Sequence, residues 1–230
     1  MDRIARGRLH RFAALSSTEP FSYDRNYYKM TVVIILVKTP LWLKIGGMRV
    51  SKEKAAENRD RILKAASRLM RERGISGVGV DALTEAAGMT HGSLYSQFGS
   101  KERLIEEAVA DAIAAKGQEL REVSTLGDYV SEYLSATHRD EPGSGCPFAA
   151  LCCEISRQSQ GARERFTAGV RGMAGWLSDR MGSGIKQRQR DEEALATLAS
   201  LVGALVLARA VSDPKLSDDI LRSTRKRLER

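Results

Sequence analysis

A chain of 230 residues has room for one or two domains and a substantial buried core. Its net charge of +8 is placed unevenly: residues 1–48 hold eight Lys/Arg against three Asp/Glu, and residues 49–110 hold eleven against nine, so no strong global field serves the central segment. Aromatic residues make up only 6% of a chain rich in Ala, Leu, Glu and Arg, which favours an all-α fold. The three histidines (His10, His91, His138) are far apart, and no Gly-rich phosphate loop, nucleophile elbow or paired-metal pattern occurs, so we expect neither an enzyme nor a cofactor.

Residues 1–47 lack helical periodicity. Their apolar run, Val32 to Val37, is broken by Lys38, Pro40 and Lys44. It falls far short of the roughly 18 to 20 apolar residues that a membrane span needs, and it starts too late for a secretory signal. We expect Met48 to be the natural start and residues 1–47 to be an unstructured or misassigned extension. The functional alternative is a basic arm that adds phosphate contacts. A cytoplasmic protein with no membrane partner follows from this reading.

Residues 48–103 form the expected DNA-binding domain of three helices. The first spans about Lys54 to Arg73, with Ile62, Ala66, Leu69 and Met70 on one face. The second runs from about Val80 to Ala87, with Val80, Leu83 and Ala87 on one side, and Gly88 stops it by adopting the left-handed conformation. Thr90 is the N-cap of the third, whose Leu94 and Phe98 fall four apart on the buried side. That leaves His91, Ser93, Tyr95, Ser96 and Gln97 for a partner, while Gly92 permits close backbone approach. His91 and Ser93 stand where side chains reach base edges. Ser100 caps a further helix with Lys101 in its first turn, where a cation opposes the helix dipole and points to an external anion. A short helix, a glycine turn and a second short helix is how a protein presents a helix start to the major groove.

Residues Asn58 to Glu107 resemble the DNA-binding domain of the TetR family of bacterial transcriptional regulators. The resemblance rests on Ile62-Leu63 with Ala65-Ala66, Arg73-Gly74, Ala87-Gly88, and Gly92-Ser93-Leu94-Tyr95 followed by Phe98 and Ser100-Lys101. Thr84, Gln97 and Gly99 depart from the usual pattern, which bears on the target sequence and not on the fold. The resemblance implies a phosphate contact at Tyr95 and dimerisation through the last two helices.

Residues 104–230 read as a helical effector-binding and dimerisation domain. A long helix continues through Leu104, Ile105, Val109 and Ile113, and another carries Tyr129, Val130, Tyr133 and Leu134. Thr137 to Pro147 is the clearest loop, and Pro147 suits the first position of a new helix. Helices follow over Phe148 to Gln158, Ala162 to Met181, Asp191 to Val211 and Ser217 to Leu228. Ala194 to Ala210 is apolar nearly all round and must be covered on more than one side. A twofold four-helix interface would cover it, with Leu198, Leu201, Val202, Leu205 and Leu221 as its expected residues. Phe148, Phe166, Met173 and Trp176 are core residues by default and the candidates for lining a ligand cavity.

Cys146, Cys152 and Cys153 lack structural-zinc spacing, so no metal is expected. Cys146, directly before Pro147, is the candidate redox or electrophile-sensing thiol, because a helix N-terminus favours the thiolate. The plainer reading makes all three small buried apolar residues, with Cys152 and Cys153 facing the core. With the resemblance, we expect a homodimeric, ligand-responsive repressor that binds a palindromic double-stranded DNA operator and is released by a small-molecule effector. The alternative is a DNA-binding regulator controlled by cysteine modification or by a protein partner.

Overall fold

The computed structural model describes residues 51–182, 184 and 186–229; the expected extension over residues 1–47 lies outside them. Among the described residues there are ten helices and no strand. Local chemistry starts most of them. Ser51, Thr90, Ser100, Thr125, Ser135, Ser159 and Asp213 each accept an amide hydrogen from the first turn that follows, a bond worth about 1 kcal/mol at a helix start.

Helices α1 (Lys52–Arg73), α2 (Val80–Ala87) and α3 (His91–Phe98) form the head, and α4 (Lys101–Glu119) leaves it. Their shared core holds Ile62, Ala66, Met70, Leu83, Leu94, Phe98 and Leu104, and it continues without a break to Leu151, Ile155 and Ala162 of later helices. Long side chains of α1 brace the rest. Arg61 donates to the Ala87 carbonyl at the end of α2, 2.8 Å away, while the Arg59 guanidinium lies over the Phe98 ring and pairs with Glu107 on α4.

The second core gathers α5 (Leu126–Tyr133), α7 (Pro147–Ile155), α8 (Gln160–Ser178), α9 (Gln187–Ala210) and α10 (Pro214–Leu228) around Leu134, Leu177, Leu201 and Leu205. Ile113 of α4 and Phe166 of α8 pack against both cores. The expected loop over Thr137 to Pro147 is only partly a loop. It contains a short helix, α6 (Ala136–Asp140), started by the Ser135 cap and fixed by Arg139, which binds Asp218 and Ser217 of α10. Tertiary anchoring supplies what five residues cannot supply alone.

Candidate nucleic-acid interface and internal cavity

The turn between α2 and α3 has the geometry that the glycine anticipates. Gly88 adopts φ 62° and ψ 42°, and the amides of Gly88 and Met89 close back onto Glu85 and Thr84. Thr84, the unusual residue in α2, is buried with its hydroxyl donating to the Val80 and Asp81 carbonyls, so it costs the helix no unpaired polar group.

On α3, Leu94 and Phe98 are buried, which turns the opposite face outward: His91, Gly92, Tyr95 and Ser96 are exposed, Ser93 and Gln97 half-buried. Tyr95 keeps 48% of its surface, unusual for a large aromatic residue and not explained by packing. Several polar groups of this face already have local partners. Thr90 Oγ1 accepts from the Ser93 amide at 3.3 Å and lies 3.1 Å from the Ser93 hydroxyl, and the Ser96 hydroxyl donates to the Ser93 carbonyl. His91 Nε2 approaches Asp81 at 2.5 Å, tying the start of α3 to the start of α2. Lys101 has an internal role that its sequence position did not announce: its ammonium donates to the Val78 carbonyl at 2.8 Å, locking α4 to the connection before α2. An ammonium has three protons, so the bond leaves two for an external anion.

A cavity of about 550 Å³ opens in the second core, bounded by the end of α4 (Lys116, Glu119), by α5 (Tyr129, Glu132, Tyr133), by the segment from Ser135 to Cys146, and by Met173. Of the four residues expected to line a pocket, only Met173 does. Phe148 and Phe166 instead stack edge to face with ring centroids 5.3 Å apart, and Trp176 packs on Tyr129 and under the Arg180 guanidinium. The residues that do line it come from separate segments of the chain, and no sequence spacing brings them together.

His138 is the best-determined group in this cavity. Its Nδ1 donates to the Tyr133 carbonyl at 2.7 Å and its Nε2 accepts the Cys146 amide at 2.9 Å, which fixes a neutral imidazole and its tautomer. Burial, with a contribution from the nearby Arg209, lowers its pKa to about 4. The Tyr133 hydroxyl is buried and, among the described residues, has only the weakly bonding Cys146 thiol beside it and no nitrogen or oxygen partner; burial, and then Cys146, hold it in the protonated form. A donor left so poorly paired costs about 1 to 3 kcal/mol until something binds it.

The expected interface residues need correction. Leu198, Leu201, Leu205 and Leu221 are buried within the chain's own core, whereas Val202 is half-buried, as its neighbour Gly203 is, and stays at the edge of the surface. The apolar surface that remains runs along another line of α9, where Ala196, Ala199, Gly203, Leu207 and Ala210 recur at spacings of three and four, with Leu195 and, on α10, Leu216 beside it. Periodicity in an all-apolar helix could not tell these two faces apart.

Two of the cysteines differ from expectation. Cys146 is buried, as the plainer reading has it, at the N-cap position of α7 with no side-chain cap bond, whereas Cys152 is only half-buried and Cys153 is exposed. Burial, and then the neighbouring Cys153 thiol, push the Cys152 thiol pKa up.

The profile described as "Bacterial regulatory proteins, tetR family" matches residues 62–108. An uncharacterised HTH-type transcriptional regulator of Mycobacterium tuberculosis, Rv0196, is 30% identical over 174 residues, covering 67% of this chain and 86% of the relative. The HTH-type transcriptional repressor NemR of Escherichia coli K12 is 26% identical over 144 residues, covering 59% of this chain and 72% of NemR. Among solved structures, the reduced form of E. coli NemR superposes with a TM-score of 0.62 at 23% identity, over 75% of this chain and 95% of that one. A TetR-family regulator from Agrobacterium tumefaciens gives 0.63 at 21% identity, over 75% and 98%.

Proposed function

Since the chain belongs to the TetR family of bacterial transcriptional regulators, we propose that it is a cytoplasmic repressor that binds a palindromic operator as a homodimer and lets go when a small molecule fills the cavity. The observation that carries this reading is the course of α4. Its first residue, Lys101, is bonded to the head at Val78, and its last turn supplies Lys116 and Glu119 to the cavity wall. A helix of 19 residues is about 28 Å long, so a small tilt imposed at one end is a displacement of the head at the other.

A second link runs through the segment that closes the cavity. Arg71 of α1 donates to the Gly143 carbonyl at 2.8 Å, next to Ser144 and Gly145 in the wall. The effector acts by binding one head arrangement better than the other, a coupling of about 1 to 3 kcal/mol in typical cases. The cavity chemistry narrows its class. Apolar and aromatic walls, a neutral His138, a Tyr133 hydroxyl with no nitrogen or oxygen partner and three glutamates (Glu119, Glu132, Glu141) against one lysine suit an aromatic molecule with a hydrogen-bond acceptor and a neutral or positive charge.

DNA contact falls to the exposed face of α3, with Tyr95 and Lys101 on phosphate and His91, Ser93 and Gln97 towards base edges. Gly92 lets the backbone approach, while Thr90 and Ser96 complete the surface. The dimer closes through the strip of α9 that runs from exposed Ala199 past half-buried Gly203 to exposed Leu207, with Leu216 of α10, small residues there permitting close helix approach.

The test is selection of bound sequences from random duplex DNA with the full chain, followed by titration of the selected operator with a panel of aromatic amines and phenols. A palindromic site released by a compound that fails to release the Tyr133→Phe variant supports the reading. Binding to DNA with no twofold site, or release that is the same in both proteins, overturns it in the corresponding part.

A further inference from the structure

Cys152 and Cys153 are consecutive residues near the end of α7, and their sulfurs lie 3.8 Å apart, one thiol half-buried and the other exposed. Direct oxidation to a disulfide is blocked by the helix. Adjacent Cα atoms are held about 3.8 Å apart, closer than the roughly 4.4 to 6.8 Å that disulfides span, and the sulfurs would have to close to about 2.05 Å. A single bridging atom meets no such obstacle. Bonds of about 2.3 Å to one centre allow the two sulfurs any separation up to about 4.6 Å, and 3.8 Å lies within that limit.

The pair provides two soft ligands. Glu154, the adjacent carboxylate, is already engaged, and no group of three or more His, Cys, Asp or Glu able to hold a metal ion is assembled among the described residues. Zinc asks for four ligands and is poorly served, whereas a centre that takes two sulfurs and brings its own third substituent is matched.

We propose that Cys152 and Cys153 form a dithiol site for a thiophilic trivalent metalloid, with a monosubstituted arsenic(III) oxide as its type. The step balances without an oxidant. Two arsenic–sulfur bonds form, two S–H bonds and the arsenic–oxygen bond break, the two thiol protons leave with the oxide oxygen as one water molecule, and arsenic stays trivalent. Exposed Cys153 makes the first bond and half-buried Cys152 closes the ring.

The site also has a route to the head. Glu154, the next residue, accepts the amides of Ile75 at 3.0 Å and Ser76 at 2.9 Å, holding the connection between α1 and α2. Burial opposes the charge of this carboxylate, yet the bonds from Ser76 and Ile75 outweigh it and lower its pKa. A substituent crowded onto the end of α7 therefore acts on the start of the DNA-reading unit.

The experiment treats the reduced, full-length chain with phenylarsine oxide, counts the bound arsenical by mass spectrometry and counts free thiols after denaturation. One adduct per chain is expected, with the titratable thiols falling from three to one, reversed by a dithiol and not by a matched monothiol. Cys152→Ser and Cys153→Ser should each bind about 100-fold more weakly, the loss typical when a second tethered contact is removed, and Cys146→Ser should bind as the parent does. Tight binding retained in either single variant, or a fall of one thiol only, overturns the site. Operator affinity of the adduct is the separate readout for the route through Glu154: a drop seen in the parent and absent in Cys153→Ser supports that route, and unchanged affinity overturns it whatever the thiol count.

Discussion

The two ends of α4 serve regions built in opposite ways. At Lys101 the helix meets a head whose geometry is set by neighbours in sequence: Thr90 caps the residue three ahead, Gly88 folds its own helix end, and Leu94 pairs with Phe98 one turn on. At Lys116 it meets a cavity whose walls come from α4, α5, the segment from Ser135 to Cys146, and α8, held by long-range bonds such as Arg209 to the His138 carbonyl and Arg139 to Asp218. The head leaves the polar groups of α3 at or near the surface, while the cavity largely buries the His138 ring and buries the Tyr133 hydroxyl. Damage to the head should therefore stay local, whereas damage to the cavity or the surface beyond it should spread to stability, assembly and response together.

The largest effect should come from the exposed strip of α9. A Cβ at Gly203 meets nothing within 4 Å in the single chain, so Gly203→Glu should fold, yet it places a charge in the proposed dimer contact. An unpaired charge in a desolvated interface costs several kcal/mol, enough to separate the subunits and remove operator binding. Sedimentation should show a folded monomer with a helical spectrum like the parent's. Leu205→Glu is the contrasting variant: Leu205 is fully buried within the chain, so it should unfold the domain rather than only split the dimer. A Gly203→Glu protein that stays dimeric moves the interface elsewhere.

Next in size is the response of the cavity to acid. Folded His138 titrates near 4 against 6.5 when free, so the unfolded chain takes up the proton first as pH falls. The stability from keeping this imidazole neutral is fully present above pH 6.5, is lost progressively between 6.5 and about 4, and changes no further below that, a total of up to about 3 kcal/mol. Urea unfolding of the parent and of His138→Gln at pH 7.5, 5.5 and 4.5 isolates this from the carboxylates common to both. The gap between the two proteins should narrow steadily towards pH 4.5, and a constant gap would show that His138 is not held neutral.

The same contrast explains what the sequence made legible. Val80, Leu83, Ala87, Gly88, Thr90, Leu94 and Phe98 carry their roles in their spacing, because each acts on residues within a turn or two, and the structure has α2 at the bounds read from the sequence. Of the cavity residues, Tyr129 and Tyr133 are four apart on α5, but no period connects them to His138 or to Lys116. Their meeting depends on how α4, α5 and α8 pack, which is why aromatic residues chosen for size, Phe148, Phe166 and Trp176, prove to be packed against other rings and cations. On α9 the apolar pattern runs all round, and only the packing of α7, α8 and α10 against it decides that Leu198 and Leu205 turn inward while Leu207 stays out.

A smaller effect sharpens the local half of the comparison. Gly88→Ala places a side chain at φ 62°, where an L-residue costs about 1 to 2 kcal/mol, and its Cβ would come 2.9 Å from the Arg61 guanidinium that anchors the end of α2. Hydrogen exchange should rise in α2 and α3 while α8 to α10 keep their protection. Equal loosening of both regions would show that the head is not a separate unit of stability.

The smallest effect separates the two jobs of Lys101. Losing its ammonium removes one hydrogen bond to the Val78 carbonyl and, if its remaining protons meet phosphate, one released counterion on DNA binding. Lys101→Ala should weaken binding to operator and to unrelated duplex by the same factor, reduce the salt slope of the logarithm of the binding constant by about 1, and leave discrimination between sequences intact. Lys101→Gln sorts the alternatives. An amide can still donate to Val78 but releases no counterion, so it should keep the stability of the head and still lower the salt slope by about 1. Full recovery of DNA binding by the glutamine variant would assign Lys101 to bracing the head alone, and the phosphate contact would then fall to Tyr95 on the exposed face of α3.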